Sequence, residues 1–200
     1  MIKFWYLLSF VYLLSSCTKD RFPIPDNQNN PGEEGVIYFW DFNDGNTVDF
    51  GVPIVSSGTS SLSYSGVWDY TDGSLINAPQ SSAAGSSLRL RNPAGSFVIQ
   101  VSTLGFKKIK LSYAVMRTSN GAQENLISYS LDGVNFFDSG IEPSMHSVAI
   151  VFELKEVDLS LVNALNNQPQ VYVKIDFNMG NTNPTGNNRF DNLTIRATSI

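Results

Sequence analysis

Residues 171–178 read VYVKIDFN. Val171, Val173, Ile175 and Phe177 are apolar, and Tyr172, Lys174, Asp176 and Asn178 alternate with them. A period of two is the pattern of a strand with one dry and one wet face. The same alternation runs through Phe97, Ile99 and Val101. It returns in Ile109, Leu111, Tyr113 and Val115, set against Lys108, Lys110, Ser112 and Ala114, and in Val148, Ile150, Phe152 and Leu154. Strands with one buried face belong to antiparallel sheets, and two such sheets close on each other as a β-sandwich. Composition agrees. Of 200 residues, 16% are charged, against about 25% in an average globular chain, and Ser, Asn, Thr and Gly take their place. About ten to twelve short strands fit the chain after residue 35, which suggests an all-β, antiparallel jelly roll.

Turn signals set the strand ends. Asp132-Gly133 separates 127–131 from 135–137 and predicts a hairpin. The run 92–95, Asn-Pro-Ala-Gly, is expected to close a pair of strands at 87–91 and 97–101, and 182–188 forms a wide loop before the last strand. One short helix is expected at about 159–165, capped by Asp158 or Ser160.

The N-terminus carries an address. Lys3 precedes an apolar run of 11 residues, Phe4 to Leu14, too short to span a bilayer, which takes about 20. Leu14-Ser15-Ser16-Cys17 then resembles a bacterial lipobox, in which a signal peptide, here 1–16, is cut before a diacylated cysteine. Cys17 is the sole cysteine of the chain, so a disulfide within it is excluded. The other reading is an ordinary signal peptide with an incidental cysteine. Residues 17–34 are rich in Pro and Asn and read as the lipidated cysteine and a flexible tether, leaving 35–200 as the domain. Thr18, where an Asp tends to retain such proteins in the inner membrane, favours the outer membrane. Lys19-Asp20 faintly resembles the surface-export signal of Bacteroidota lipoproteins, so cell-surface and periplasmic orientations both stay open.

The segments IYFWDFNDG, SLRLRNPAG, LSYAVMRTSNGAQ, YSLDGVNF and GNNRFDNLTI together resemble a secreted jelly-roll module of the adhesin or carbohydrate-binding kind, carried on Bacteroidota-type surface lipoproteins. The resemblance spans most of 36–197 and implies a sandwich with a binding or adhesive role, by analogy of fold. It also implies that the first and last strands lie side by side and that their carboxylates, Asp41, Asp44 and Asp191, could clasp a structural Ca²⁺. Strand parity puts Asp191 on the face of Leu193 and Ile195, where a carboxylate needs a partner. Arg189, two residues away, is the alternative to a metal.

Glycan recognition needs aromatic rings among polar groups. Tyr64, Trp68 and Tyr70, with Asp69 and Asp72 as acceptors, stand in SYSGVWDYTDG and are the candidate platform; the alternative is that Trp68 and Tyr70 fill the sandwich edge. Trp40 is expected in the core. Phe136 and Phe137 cannot both be buried on a regular strand, so one is a candidate exposed contact; the alternative is a bulge that accounts for both.

Other classes find little material. A net charge of −5 argues against a nucleic-acid backbone as partner. A triad would have to use His146, the only histidine, with Ser144 or Ser147, and no G-x-S-x-G elbow supports it. Arg89 and Arg91 flank Leu90 on one face, but no lyase-type histidine motif accompanies them. No cofactor is required. The reading is a lipid-anchored, non-catalytic binding module, for a glycan or else for a surface protein.

Overall fold

The computed structural model describes residues 31–79 and 82–200. The signal peptide, Cys17 and most of the tether lie outside these. The strands are β1 (Glu34–Trp40), β2 (Val55–Ser56), β3 (Ser60–Tyr64), β4 (Trp68–Asp72), β5 (Ser86–Arg91), β6 (Ser96–Val101), β7 (Phe106–Arg117), β8 (Glu124–Ser130), β9 (Met145–Ser147), β10 (Glu153–Asp158), β11 (Val171–Asn178) and β12 (Asn187–Ser199). One sheet has the order β10-β7-β12-β1-β2, with β5 also on β12 and β4 on β5. The other runs β3-β6-β11-β8-β9. Every pairing is antiparallel, and the fold is a jelly-roll β-sandwich.

The apolar sets of 97–101, 109–115 and 171–177 all point into the core between the sheets. Its centre is aromatic. Phe190 on β12 lies 5.3 Å from Phe97, 5.3 Å from Tyr113 and 5.9 Å from Phe177, joining the two sheets. Trp40 is fully buried, and its indole N–H donates to Gly51 O at 2.9 Å. The ends of the domain meet: Gly32 N donates to Ser199 O, so backbone pairing begins slightly before residue 35.

Four local expectations change, the first two because alternation along a strand does not say which sheet the strand joins. The turn at 92–95 closes no hairpin, because β5 pairs with β4 and β12 while β6 pairs with β3 and β11; the turn carries the chain across the sandwich. Residues 148–154 are not one strand. β9 pairs with β8 and β10 with β7, and the crossing between them leaves Ile150 and Val151 each 60% exposed. The Asp132-Gly133 turn yields a single bridge, Tyr129 to Phe137, rather than a ladder. Its loop is held by the Asp132 carboxylate, which accepts Val134 N, Asn135 N and the Ser130 hydroxyl. The expected helix shrinks to one 3₁₀ turn, Asn163–Leu165. Leu159, Val162 and Leu165, three apart, plug the end of the sandwich, a spacing that suits 3₁₀ geometry. Asp158 Oδ1 accepts Ser160 N at 2.7 Å in a local turn and caps no helix.

Candidate functional sites

The predicted aromatic platform is divided by the fold. Tyr64 ends β3 in the five-stranded sheet, whereas Trp68 and Tyr70 lie on β4 in the seven-stranded one. Trp68 and Tyr70 meet edge to face, 5.8 Å apart at 75°, and Phe50 meets Trp68 at 4.7 Å and 68°. All three predicted rings pack against the core in part. Tyr70 OH donates to Asn46 O at 2.9 Å and Tyr64 OH to Arg91 O at 2.8 Å. Burial, with Asp44 and Asp49 nearby, pushes the Tyr70 phenol up to about 12. Asp69 points the other way, as alternation demands. It accepts Arg89 Nε at 2.6 Å and Arg91 Nη2 at 2.6 Å, which hold its carboxyl below the usual range, Arg89 first. Asp72 is exposed at the end of β4. Rings and carboxylate are therefore not gathered on one surface.

The carboxylates near the chain ends are brought together in part. Asp191 is fully buried, but not on the face of Leu193. The register of β12 on β7 shifts between Asp191 and Thr194, and Asn192 takes a left-handed φ of 48°. This bulge absorbs one residue, so Phe190 and Leu193 both turn into the core and Asp191 turns outward, beneath the loop after β4. There Asp191 Oδ2 accepts Ser74 N at 2.6 Å and Oδ1 accepts Asn192 N at 2.8 Å. The Asn192 amide fastens the loop by donating to Ser74 O and Ile76 O. The expected Arg189–Asp191 pair does not form; Arg189 Nε contacts Asn187 Oδ1 at 3.4 Å. Burial raises the Asp191 carboxyl to about 7, and the charge of Asp41 adds to the rise. Asp41 is oriented by Asn43, which donates to it from N and Nδ2, while Asn43 Oδ1 accepts Ser86 N at 2.6 Å. That approach requires Gly85, since a Cβ there would stand 1.8 Å from Asn43 Oδ1. Asp44 is exposed and closes its own turn through Asn46 N. Asp41 is thus close enough for its charge to act on Asp191, while Asp44 is engaged in its own turn. Among the described residues no three His, Cys, Asp or Glu side chains gather as a metal cage. Asp191 is thus a buried carboxylate whose partners are the backbone N–H groups of Ser74 and Asn192.

A third place was largely hidden from the sequence. The outer face of the five-stranded sheet holds a groove of about 410 Å³ beside β8, β9 and β11, within the range of ligand clefts. Phe137, 56% exposed, stands at its rim with its ring 6.1 Å from Tyr129. Lys174 Nζ sits 4.4 Å from the centroid of Phe136, a cation–π contact, and 2.8 Å from Asp176 Oδ2. Ser128, opposite Lys174 in register, has a hydroxyl without a partner among the described residues. Sequence parity places Lys174 and Asp176 outward; only the register of β11 on β8 sets Ser128 beside them. His146 lies on β9, buried, with Nδ1 3.3 Å from Tyr113 OH. Burial, then Lys155, lowers its pKa; it is a core residue, not one of a surface turn.

Neither a protein-family model nor a curated protein matches the chain. Among solved structures it is similar to a carbohydrate-binding module, TmCBM61 with β-1,4-galactotriose: 8% identity, 78% of this chain and 92% of that one, TM-score 0.42. It is similar to the K1 cleaved adhesin domain of Lys-gingipain from Porphyromonas gingivalis W83: 9% identity, 82% and 98%, TM-score 0.48. It is also similar to the module CBM6cm-2 of Cellvibrio mixtus lichenase 5A with cellotriose: 10% identity, 80% and 96%, TM-score 0.39. Likeness at this level says nothing about what this chain binds.

Proposed function

We propose that the chain is a lipid-anchored, non-catalytic binding module of the outer membrane, held through Cys17 and presenting its sandwich to glycans at the cell surface. The observation that carries the glycan reading is the groove on the five-stranded sheet. A pyranose offers an apolar face to an aromatic ring and hydroxyls to donors and acceptors. Phe137 supplies the ring, and Lys174 and Asp176 supply the polar partners. A Ca²⁺ held by Asp41 and Asp191, with oxygens of the loops around them, would neutralise the buried carboxylate and fasten the chain ends; its part is structural.

The full chain, purified in non-ionic detergent, is expected to be retarded in native gels by at least one neutral polysaccharide from a panel of galactan, β-glucan, xylan and mannan. Phe137→Ala is expected to abolish that retardation, because the ring is exposed and its loss leaves the core intact. Retardation by none of these polymers counts against the reading and shifts the weight to a protein partner. The anchor has its own test. Cells fed an alkyne fatty acid should label the chain, and Cys17→Ser should remove the label; a variant that stays labelled is acylated elsewhere.

A further inference from the structure

We propose that the outer face of the seven-stranded sheet carries an oxyanion site built on Arg89 and Arg189, and that its ligand is an acidic polysaccharide held through carboxylate or sulfate groups. The inference rests on the glycan-binding reading and adds to it a second face and a charge class.

The register places the cations. β5 and β12 set Arg89 directly opposite Arg189, and Arg91 opposite Asn187. On the other side of β5, Asp69 stands opposite Arg89. Leu88, Leu90 and Phe190 point into the core, so the residues alternating with them, Arg89, Arg91 and Arg189, project from the outer surface. Like charges directly opposed across a ladder are destabilising unless an anion lies between them. Asp69 serves that need for β5 alone. It accepts four N–H groups, two from Arg89 and two from Arg91, at 2.6–3.1 Å. Arg189 has no carboxylate partner among the described residues, and its 3.4 Å contact to Asn187 Oδ1 is long for an N–H···O bond. Two guanidiniums thus share one carboxylate and the third, Arg189, has none among the described residues, on a chain whose net charge is −5.

The ligand class follows. A guanidinium fork matches the paired oxygens of a carboxylate or sulfate, and does so where a lysine would act only as a point charge. A net-acidic protein repels polyanions except where cations are gathered, so this patch selects by local chemistry. Three cations are few for a nucleic-acid backbone, whose binders commonly neutralise about 6–10 phosphates. They suit an acidic sugar that presents one oxyanion at a time.

The test uses the full chain in non-ionic detergent, run in native gels containing polygalacturonate, chondroitin sulfate or neutral galactan, at low and raised salt. Retardation by polygalacturonate or chondroitin sulfate is expected, weakening with salt. Arg189→Gln should lose about tenfold in apparent affinity, the cost of one charge-assisted contact, and Arg189→Lys should lose less because it keeps the charge. Retardation by polygalacturonate alone assigns a carboxylate, and by chondroitin sulfate alone a sulfate-bearing ligand. Equal retardation of wild type and both variants overturns the site. No retardation by either acidic polymer also overturns it; if a neutral polysaccharide still retards the chain, the glycan reading stands, and if none does, both fall.

Discussion

Phe190→Ala is expected to cost about 3–5 kcal/mol of folding free energy, the range for truncating a buried phenylalanine. Phe190 is fully buried and lies in the layer where the sheets meet. Its neighbours come from both sides: Tyr113 from its own sheet, and Phe97 and Phe177 from the facing one. Rings so arranged cannot all move inward to fill the space, because each is fixed to a different strand, so the cavity term is retained along with the lost transfer energy. A domain of this size is commonly stable by only about 5–15 kcal/mol. The variant should therefore melt about 6–20 °C lower, as read by thermal denaturation followed by circular dichroism. A loss below about 1 kcal/mol would mean that Phe190 is not a centre of the packing.

The same residue shows how far the sequence could be read. Where a strand keeps its alternation from end to end, as in 97–101 and 171–177, the inward set was legible, and with it the sandwich. β12 breaks its alternation. Phe190 and Leu193 are three apart, yet both are buried, and only the left-handed Asn192 reconciles them. An asparagine is among the few non-glycine residues that accept that conformation readily, but nothing nearby announces that this Asn and not Asn187 or Asn188 is the bulge. Parity therefore assigned Asp191 to the wrong face and Arg189 to the wrong partner. The sites failed to show for a related reason. Composition singled out Trp68 and Tyr70 by type, whereas their environment is set by Phe50 and the core. The groove beside Phe137 and the opposed arginines exist only through register: Ser128 meets Lys174, and Arg89 meets Arg189, across ladders between strands tens of residues or more apart in the chain.

Asp191 should make the stability of the chain fall as pH rises. Its folded carboxyl titrates at about 7, while an unfolded aspartate titrates near about 3.9. Between these values the folded state holds a proton that the unfolded state has released, so stability decreases with pH through that window and is level on either side. The gap of about three units, at about 1.4 kcal/mol each, sets the scale at about 4 kcal/mol. In EDTA the melting temperature should accordingly drop from pH 5 to pH 8. Asp191→Ala removes the slope. At pH 5 the variant is less stable than wild type by about 2–4 kcal/mol, because Ser74 N and Asn192 N lose their acceptors; at pH 8 the deficit narrows, since wild type then carries a buried charge. Millimolar Ca²⁺ at pH 8 should raise the melting point of wild type and leave Asp191→Ala unmoved, because a bound cation turns the ionised carboxylate from a burden into a ligand. A flat pH profile in EDTA would mean that Asp191 is solvated, and a wild type indifferent to Ca²⁺ would remove the metal from the Asp41–Asp191 pair. A melting temperature unchanged by Asp191→Ala at every pH would show that the carboxylate does not fasten the loop after β4 to the last strand.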